Sequence, residues 1–176
     1  MTNIFLCLTA NLLFDCTAVG QGGIEEIFIG SKNDFDVTVD TGTGEVTAVT
    51  PKAAQVFYKF EYLENTAGYT ETFASSENLI GGTWTHRIEM IYPAFTLEAR
   101  NRIQELKDCP CGLLVYFKDN NGNEWFFGVD PSERVRLTEN VGQTGLALTD
   151  SSQEQLALEG TGANKRYAFT GTLPIV

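Results

Sequence analysis

The sole histidine of this 176-residue chain is His86, and a lone imidazole works as a general base only with a proton donor within hydrogen-bond reach. Its neighbourhood alternates: Trp84, His86, Ile88, Met90 and Tyr92 share one face of an extended strand, with Thr85, Arg87, Glu89 and Ile91 on the other. A histidine between Trp84 and Ile88 therefore reads as a packed or subunit-facing side chain rather than a base. Paired carboxylates are a second route to acid–base chemistry, and Glu25-Glu26 or Glu89 with Glu98 could in principle serve a hydrolase. With 23 Asp and Glu in the chain, such proximity carries little information. No Gly-x-Ser-x-Gly elbow, His-Glu-x-x-His pair or phosphate loop ending in Lys-Ser/Thr occurs, and Gly20-x-Gly22-Gly23 precedes a strand instead of opening a helix. We expect no enzymatic activity and no cofactor.

Metal chemistry finds equally weak footing. Asp34, Asp36 and Asp40 suggest a calcium loop but lack the glycine and the twelfth-position glutamate of an EF-hand, so they read as an exposed acidic loop. Cys7, Cys16, Cys109 and Cys111 are spaced Cys-x8-Cys and Cys-x-Cys, unlike structural zinc pairs, and one intervening residue makes a disulfide between Cys109 and Cys111 awkward. Small buried thiols are the default, with a link from Cys16 to the 109/111 corner left open. No metal site is expected.

Aromatic residues interleave with charge at Phe57-Tyr58-Lys59-Phe60 and Trp84-Thr85-His86-Arg87, yet stacking on single-stranded nucleic acid needs a basic groove around it. The chain has 12 Lys and Arg against its 23 acids, a net charge of −11, which opposes any grip on phosphate backbones. An acidic wall would let DNA pass without holding it; the charge equally keeps a sheet-rich protein soluble. No apolar run reaches the length of a membrane span, so no membrane insertion is expected. Residues 4–14 look superficially like a signal-peptide core, but no basic residue precedes them and Thr9 and Asn11 interrupt them, so a retained N-terminus is expected.

The elements that must position these residues are mainly strands. Phe 12, Tyr 6 and Trp 2 favour pleated surfaces. The best-specified segment is a hairpin in which 113–118 and 124–129 flank Asp119-Asn120-Asn121-Gly122-Asn123. Strands are also expected at 24–29, 69–75, 82–92, 133–137, 146–148, 155–158 and 166–170. Residues 55–64 are read as a strand with Val56, Tyr58, Phe60 and Tyr62 on one fully apolar face. A single amphipathic helix follows Pro93, from Thr96 as N-cap to Lys107, with Leu97, Ala99, Ile103 and Leu106 on its apolar side, and Pro110 and Gly112 stop it. The reading is a mainly β, α+β domain over 1–176, a β-sandwich or barrel with one helix packed on it, an arm at 1–20, and polar loops at 31–44 and 138–164.

The order of several motifs carries a resemblance. Leu12-Leu13-Phe14-Asp15-Cys16 followed by Gly22-Gly23-Ile24-Glu25-Glu26-Ile27-Phe28-Ile29 opens it, and Gly44-Glu45-Val46-Thr47-Ala48-Val49, the aromatic strand from Gln55, and 73–76 continue it. The helix, the strand 115–119, Asn121-Gly122-Asn123, Trp125-Phe126-Phe127-Gly128 and Tyr167-Ala168-Phe169-Thr170-Gly171 complete it. In this order the chain resembles the tail-tube and head–tail ring structural proteins of crAss-like and related Bacteroidetes tailed phages. The resemblance implies a tail-tube-like fold and a non-enzymatic virion component, made in the host cytoplasm. Its sheet would join equivalent sheets into a homo-oligomeric ring, hexameric or dodecameric, against neighbouring tail or connector proteins. Double-stranded DNA would pass through transiently and without sequence specificity.

On that analogy and on expected strand exposure, Phe14, Tyr58, Tyr62, Trp84 and Arg87 are the candidate assembly-interface residues. Asp34, Asp36 and Asp40 are candidates for a channel-facing or inter-ring loop. The alternative is a soluble β-sandwich binding or adhesion module with an exposed aromatic platform, functioning as a monomer.

Overall fold

The computed structural model describes residues 21–76, 81–93, 95–146, 150 and 152–175. Among these, the strands are β1 (Ile24–Ser31), β2 (Phe35–Asp40), β3 (Glu45–Pro51), β4 (Tyr58–Lys59), β5 (Gly68–Ser75), β6 (Gly82–Tyr92), β7 (Leu113–Asp119), β8 (Glu124–Phe127), β9 (Arg136–Gln143), β10 (Gln153–Gly162) and β11 (Tyr167–Phe169). One α-helix, α1 (Leu97–Asp108), lies between β6 and β7. A seven-stranded sheet has the order β2-β3-β11-β8-β7-β1-β4, and a four-stranded sheet the order β5-β6-β10-β9. The fold is thus mixed α+β with two sheets, antiparallel except where β11 runs parallel to β3. Neither sheet closes into a barrel, which corrects that half of the expectation.

The larger sheet must nevertheless curl. β1 and β2 are five strand positions apart, which in a flat sheet would be about 24 Å. Only the short turn Lys32–Asp34 joins them, and a chain that short reaches about 14 Å at most. Curling resolves the conflict and brings Phe35 of β2 to within 4.3 Å, ring to ring, of Phe57, which precedes β4 at the opposite edge. The concave side encloses Phe28, Val46, Leu114, Tyr116, Phe126 and Phe169 with these two rings. On the other face, Ile27, Ile29, Val115, Phe117 and Phe127 pack against Ile88, Met90, Leu156 and Leu158 of the smaller sheet and Ile103 and Leu106 of α1. β7 is therefore buried on both sides, which is why 113–117 reads Leu-Leu-Val-Tyr-Phe without a polar break.

Helix α1 forms as its sequence dictates: the Thr96 hydroxyl accepts from the Ala99 N–H at 3.2 Å, and Ala99, Ile103 and Leu106 are the buried residues. Leu97, read as part of the apolar side, is instead 72% exposed, because it starts the helix before the sheets cover it. The β7–β8 turn is held by Asp119, whose Oδ1 accepts from the Asn121 and Asn123 N–H groups at 2.9 Å each. Gly122 supplies the left-handed backbone there, with φ +82.

Three further expectations change. Residues 55–64 contain only the two-residue β4; Phe60 and Tyr62 pack on the expected apolar face, but Tyr58 on that face is 56% exposed and Phe57, on the other, is buried. The cause is that this segment serves two cores: Phe57 points into the concave core, and Phe60 and Tyr62 pack on the core shared with the smaller sheet. The stretches read as polar loops, 31–44 and 138–164, are largely strand, forming β2, most of β9 and β10. β2 and β9 are edge strands with polar residues on both sides, which masks their alternation, whereas β10 is an inner strand whose centre, 155–158, was expected.

Candidate functional site

Strand β6 carries the chemistry-bearing residues, and its alternation is the one read from sequence. His86, Ile88 and Met90 are buried, while Arg87 and Glu89 stand on the face turned away from the larger sheet. Pairing of β6 with β10 sets Arg87 opposite Glu159, and β9 brings Glu139 alongside. The guanidinium donates to Glu89 Oε1 at 2.6 Å, Glu139 Oε2 at 2.7 Å and Glu159 Oε2 at 3.3 Å. Hydrogen bonds to Glu89 and Glu139 hold its pKa above the usual arginine value. The result is a patch of three carboxylates around one fixed cation.

On the inward side lies a buried polar network that ties the two sheets together. His86 is 1% exposed, and its Nε2 lies 3.0 Å from the Asn164 carbonyl, which can only accept, so Nε2 carries the proton. Burial lowers the His86 pKa and favours the neutral ring, whose Nδ1 then accepts from the Tyr69 hydroxyl at 2.6 Å. Tyr69 also lies 3.2 Å from Glu71 Oε2. Protonation of Nδ1 would turn this hydroxyl toward Glu71. Burial works to raise the Glu71 pKa, but the Arg166 N–H and guanidinium, each at 3.0 Å, hold it below the ordinary value.

Asp130 and Glu133 complete the network from the β8–β9 connection. Asp130 accepts from the Asn164 N–H and side-chain amide at 3.0 Å each and from the Tyr167 hydroxyl at 2.5 Å. Those bonds outweigh burial and lower its pKa. Glu133 has no such compensation. Its Oε2 accepts from the Gly128 N–H at 2.9 Å, but Oε1 is buried without a hydrogen-bond partner, 3.8 Å from His86 Nε2. Burial pushes its pKa up to about 7. Gly128, with φ +88, turns the chain there, and a Cβ on it would run into the Leu113 carbonyl. Lys32 reaches over from the β1–β2 turn, donating to the Asp130 and Glu133 carbonyls.

A groove of about 420 Å³ beside Trp125 and Phe169 and another of about 790 Å³ beside α1 are each lined by residues other than His86, Glu71, Asp130 and Glu133. Among the described residues no group of three or more His, Cys, Asp or Glu is arranged to hold a metal ion. The arrangement couples the two sheets through buried polar contacts.

The sequence-derived candidates do not form one site. Phe14 lies outside the described residues, as do Cys7 and Cys16. Tyr58 stands on the rim of the groove beside α1, and Tyr62 is half-buried, its hydroxyl donating to the Ile24 carbonyl at 2.6 Å. Trp84 is half-buried at the end of β6, 4.9 Å from the Phe73 ring and with Lys165 Nζ 4.7 Å over its face. Arg87 is engaged within its own sheet. The three aspartates are spread out: Asp34 ends the β1–β2 turn, Asp36 pairs with Lys52 at 3.0 Å, and Asp40 Oδ1 accepts from the Gly42 N–H at 2.8 Å. With a whole strand between Asp34 and Asp40, they make no common loop; this corrects that reading. Cys109 and Cys111 are free thiols. Sequence reasoning singled out His86 but missed Tyr69, Glu71, Asp130, Glu133 and Asn164. The one local signal was Asp130-Pro131-Ser132-Glu133, a turn closed by the Glu133 N–H on the Asp130 carbonyl at 3.0 Å.

No family model matches the chain, and comparison with curated proteins and with solved structures gives no match either.

Proposed function

We propose that the chain is a non-catalytic structural protomer that joins copies of itself through the edges of its four-stranded sheet into a ring or stacked tube, with a tail-tube-like sandwich as its finer fold. The supporting observation is the parity of that sheet. All neighbours in β5-β6-β10-β9 are antiparallel, and an even number of alternating strands leaves the two outer edges running in opposite directions. A copy related by rotation then sets β9 against the neighbour's β5 in the antiparallel sense, so the ladder continues without a mismatch.

Both edges are eight residues long, and β5, Gly-Tyr-Thr-Glu-Thr-Phe-Ala-Ser, has no proline or lysine to block pairing. Among the described residues no backbone hydrogen bond reaches the outer edge of β5. The patch of Glu89, Glu139 and Glu159 around Arg87 would make a channel wall with little attraction for phosphate, compatible with passage of DNA. The motif order shared with phage tail-tube and ring proteins points the same way.

Two lysines on β5 test the edge. Thr70→Lys with Thr72→Lys places charge on exposed positions, so the expected result is a monomer with an unchanged circular dichroism spectrum and an unchanged unfolding midpoint. An assembly that persists in the double variant contradicts edge pairing.

The second reading, a soluble binding or adhesion module, is favoured by the patch of Phe73, 49% exposed, with Trp84 and Lys165 beside it. The described fold bears on it more directly, since two sheets with shared cores need no neighbour to exist. It predicts that the unmodified protein is itself a monomer.

A further inference from the structure

Asn121-Gly122 is the one Asn-Gly pair in the chain, and it sits at the exposed tip of the β7–β8 turn. An asparagine followed by glycine is chemically labile, because the backbone nitrogen of an uncrowded, conformationally free glycine can reach the side-chain amide carbon. The fold engages both reacting groups. The Gly122 N–H, whose nitrogen would attack, donates to the Asp119 carbonyl at 3.0 Å. The Asn121 amide, which would be attacked, is held at both ends by the Gln21 backbone: its Oδ1 accepts the Gln21 N–H at 2.7 Å, and its Nδ2 donates to the Gln21 carbonyl at 3.0 Å. Nothing crowds the far side. No atom lies within 4 Å of where a Cβ on Gly122 would stand, so water reaches the site.

We propose that Asn121 is a self-modification site, converting to aspartate and isoaspartate through a cyclic imide with Gly122, and that its grip on Gln21 is the catch that sets the pace. The Gly122 nitrogen releases its proton to solvent and bonds to Asn121 Cγ. The Cγ–Nδ2 bond breaks, and Nδ2 takes up a proton and leaves as ammonia. Water then adds to one of the two imide carbonyls and that C–N bond opens, leaving a carboxylate. Opening at Cγ gives aspartate; opening at the backbone carbonyl gives isoaspartate, in which the chain runs through Cβ and Cγ. No oxidant or reductant enters.

Either product replaces the amide donor with a carboxylate, so the bond to the Gln21 carbonyl is lost. Isoaspartate also lengthens the turn by a backbone carbon and carries Gly122 away from Asp119. The leading end of β1 is then held by Asn120, whose amide donates to the Gly22 carbonyl at 2.7 Å, and by the ladder with β7. The turn belongs to the larger sheet, so this chemistry stands apart from pairing between β5 and β9.

The experiment follows the full chain at mildly alkaline pH, folded and in urea, by peptide mass spectrometry that resolves asparagine, aspartate and isoaspartate. In the folded chain Asn121 is expected to convert at about a tenth of its rate in urea, with Asn120 and Asn123 of the same turn lagging far behind. Asp119→Ala removes the carboxylate that accepts from the Asn121 and Asn123 N–H groups, and should raise the folded rate about tenfold. The isoaspartate form, separated by its added charge, should exchange its Gln21 amide proton about tenfold faster by NMR. Asn121 intact in the folded chain while the chain in urea converts overturns the modification site. Equal rates folded and in urea overturn the catch, a comparison that stands even where Asp119→Ala fails to fold. Unchanged Gln21 exchange overturns the catch as well.

Discussion

Glu133 is where burial and charge conflict most directly, and the conflict sets a pH dependence. Its folded-state pKa is about 7 against an ordinary value of 4.5, so between those values the folded chain holds a proton that the unfolded chain has released. Stability contributed by the neutral carboxyl is whole below pH 4.5 and falls as pH rises to 7 and beyond, by about 3 kcal/mol in full. Glu133→Gln keeps an acceptor for the Gly128 N–H and removes the ionisation. The variant should match the unchanged protein near pH 4.5 and exceed it progressively toward pH 8 in urea unfolding; equal stabilities across that range contradict the assignment. The opposite slope comes from His86, whose lowered pKa costs stability as pH falls below 6.5, and from Glu71 and Asp130, whose lowered pKa values cost it at still more acid pH. At this scale the sequence was only partly legible. His86 announced itself by being alone, but Glu71, Asp130 and Glu133 sit among 23 acids, and only the fold distinguishes them.

Elements marked by turn, cap or an unbroken apolar run were readable, and segments without such marks were not. The β7–β8 hairpin and α1 obey local rules of turn, cap and period, and both formed where expected. Residues 55–64 meet a core on each side, Phe57 in the concave core and Phe60 and Tyr62 on the other, so a two-fold pattern that gave the segment one apolar face missed Phe57. The curl of the larger sheet makes Phe57 its closing piece, between Phe35 at 4.3 Å and Phe126 at 5.7 Å. Phe57→Ala should cost about 3–5 kcal/mol, whereas Tyr58→Ala next to it should stay within about 0.5 kcal/mol. Denaturant unfolding of the two variants side by side checks this; a larger cost at Tyr58 would mean that the segment faces the other way. Most of β9 escaped notice for a related reason, while β10 was expected in part, at 155–158. Arg136–Gln143 has a polar residue at most positions because it is an edge strand, and its burial is too slight to leave an apolar stripe.

For the whole molecule, topology supplies what motif order alone does not: a reason for copies to meet. On the proposed reading, four strands of alternating direction, outer edges without backbone partners among the described residues and a patch of carboxylates around one guanidinium would make a repeatable unit, and a net charge of −11 would keep such a unit from holding DNA. None of that pairing is visible in the sequence, since residues 68–75 and 136–143 differ in composition and look unrelated until the sheet order places them at opposite edges. The most direct test of this account is native mass spectrometry of the purified full chain, with negative-stain imaging of the same sample. The account predicts a closed oligomer of six or twelve copies seen as rings. A monodisperse monomer at millimolar concentration contradicts it.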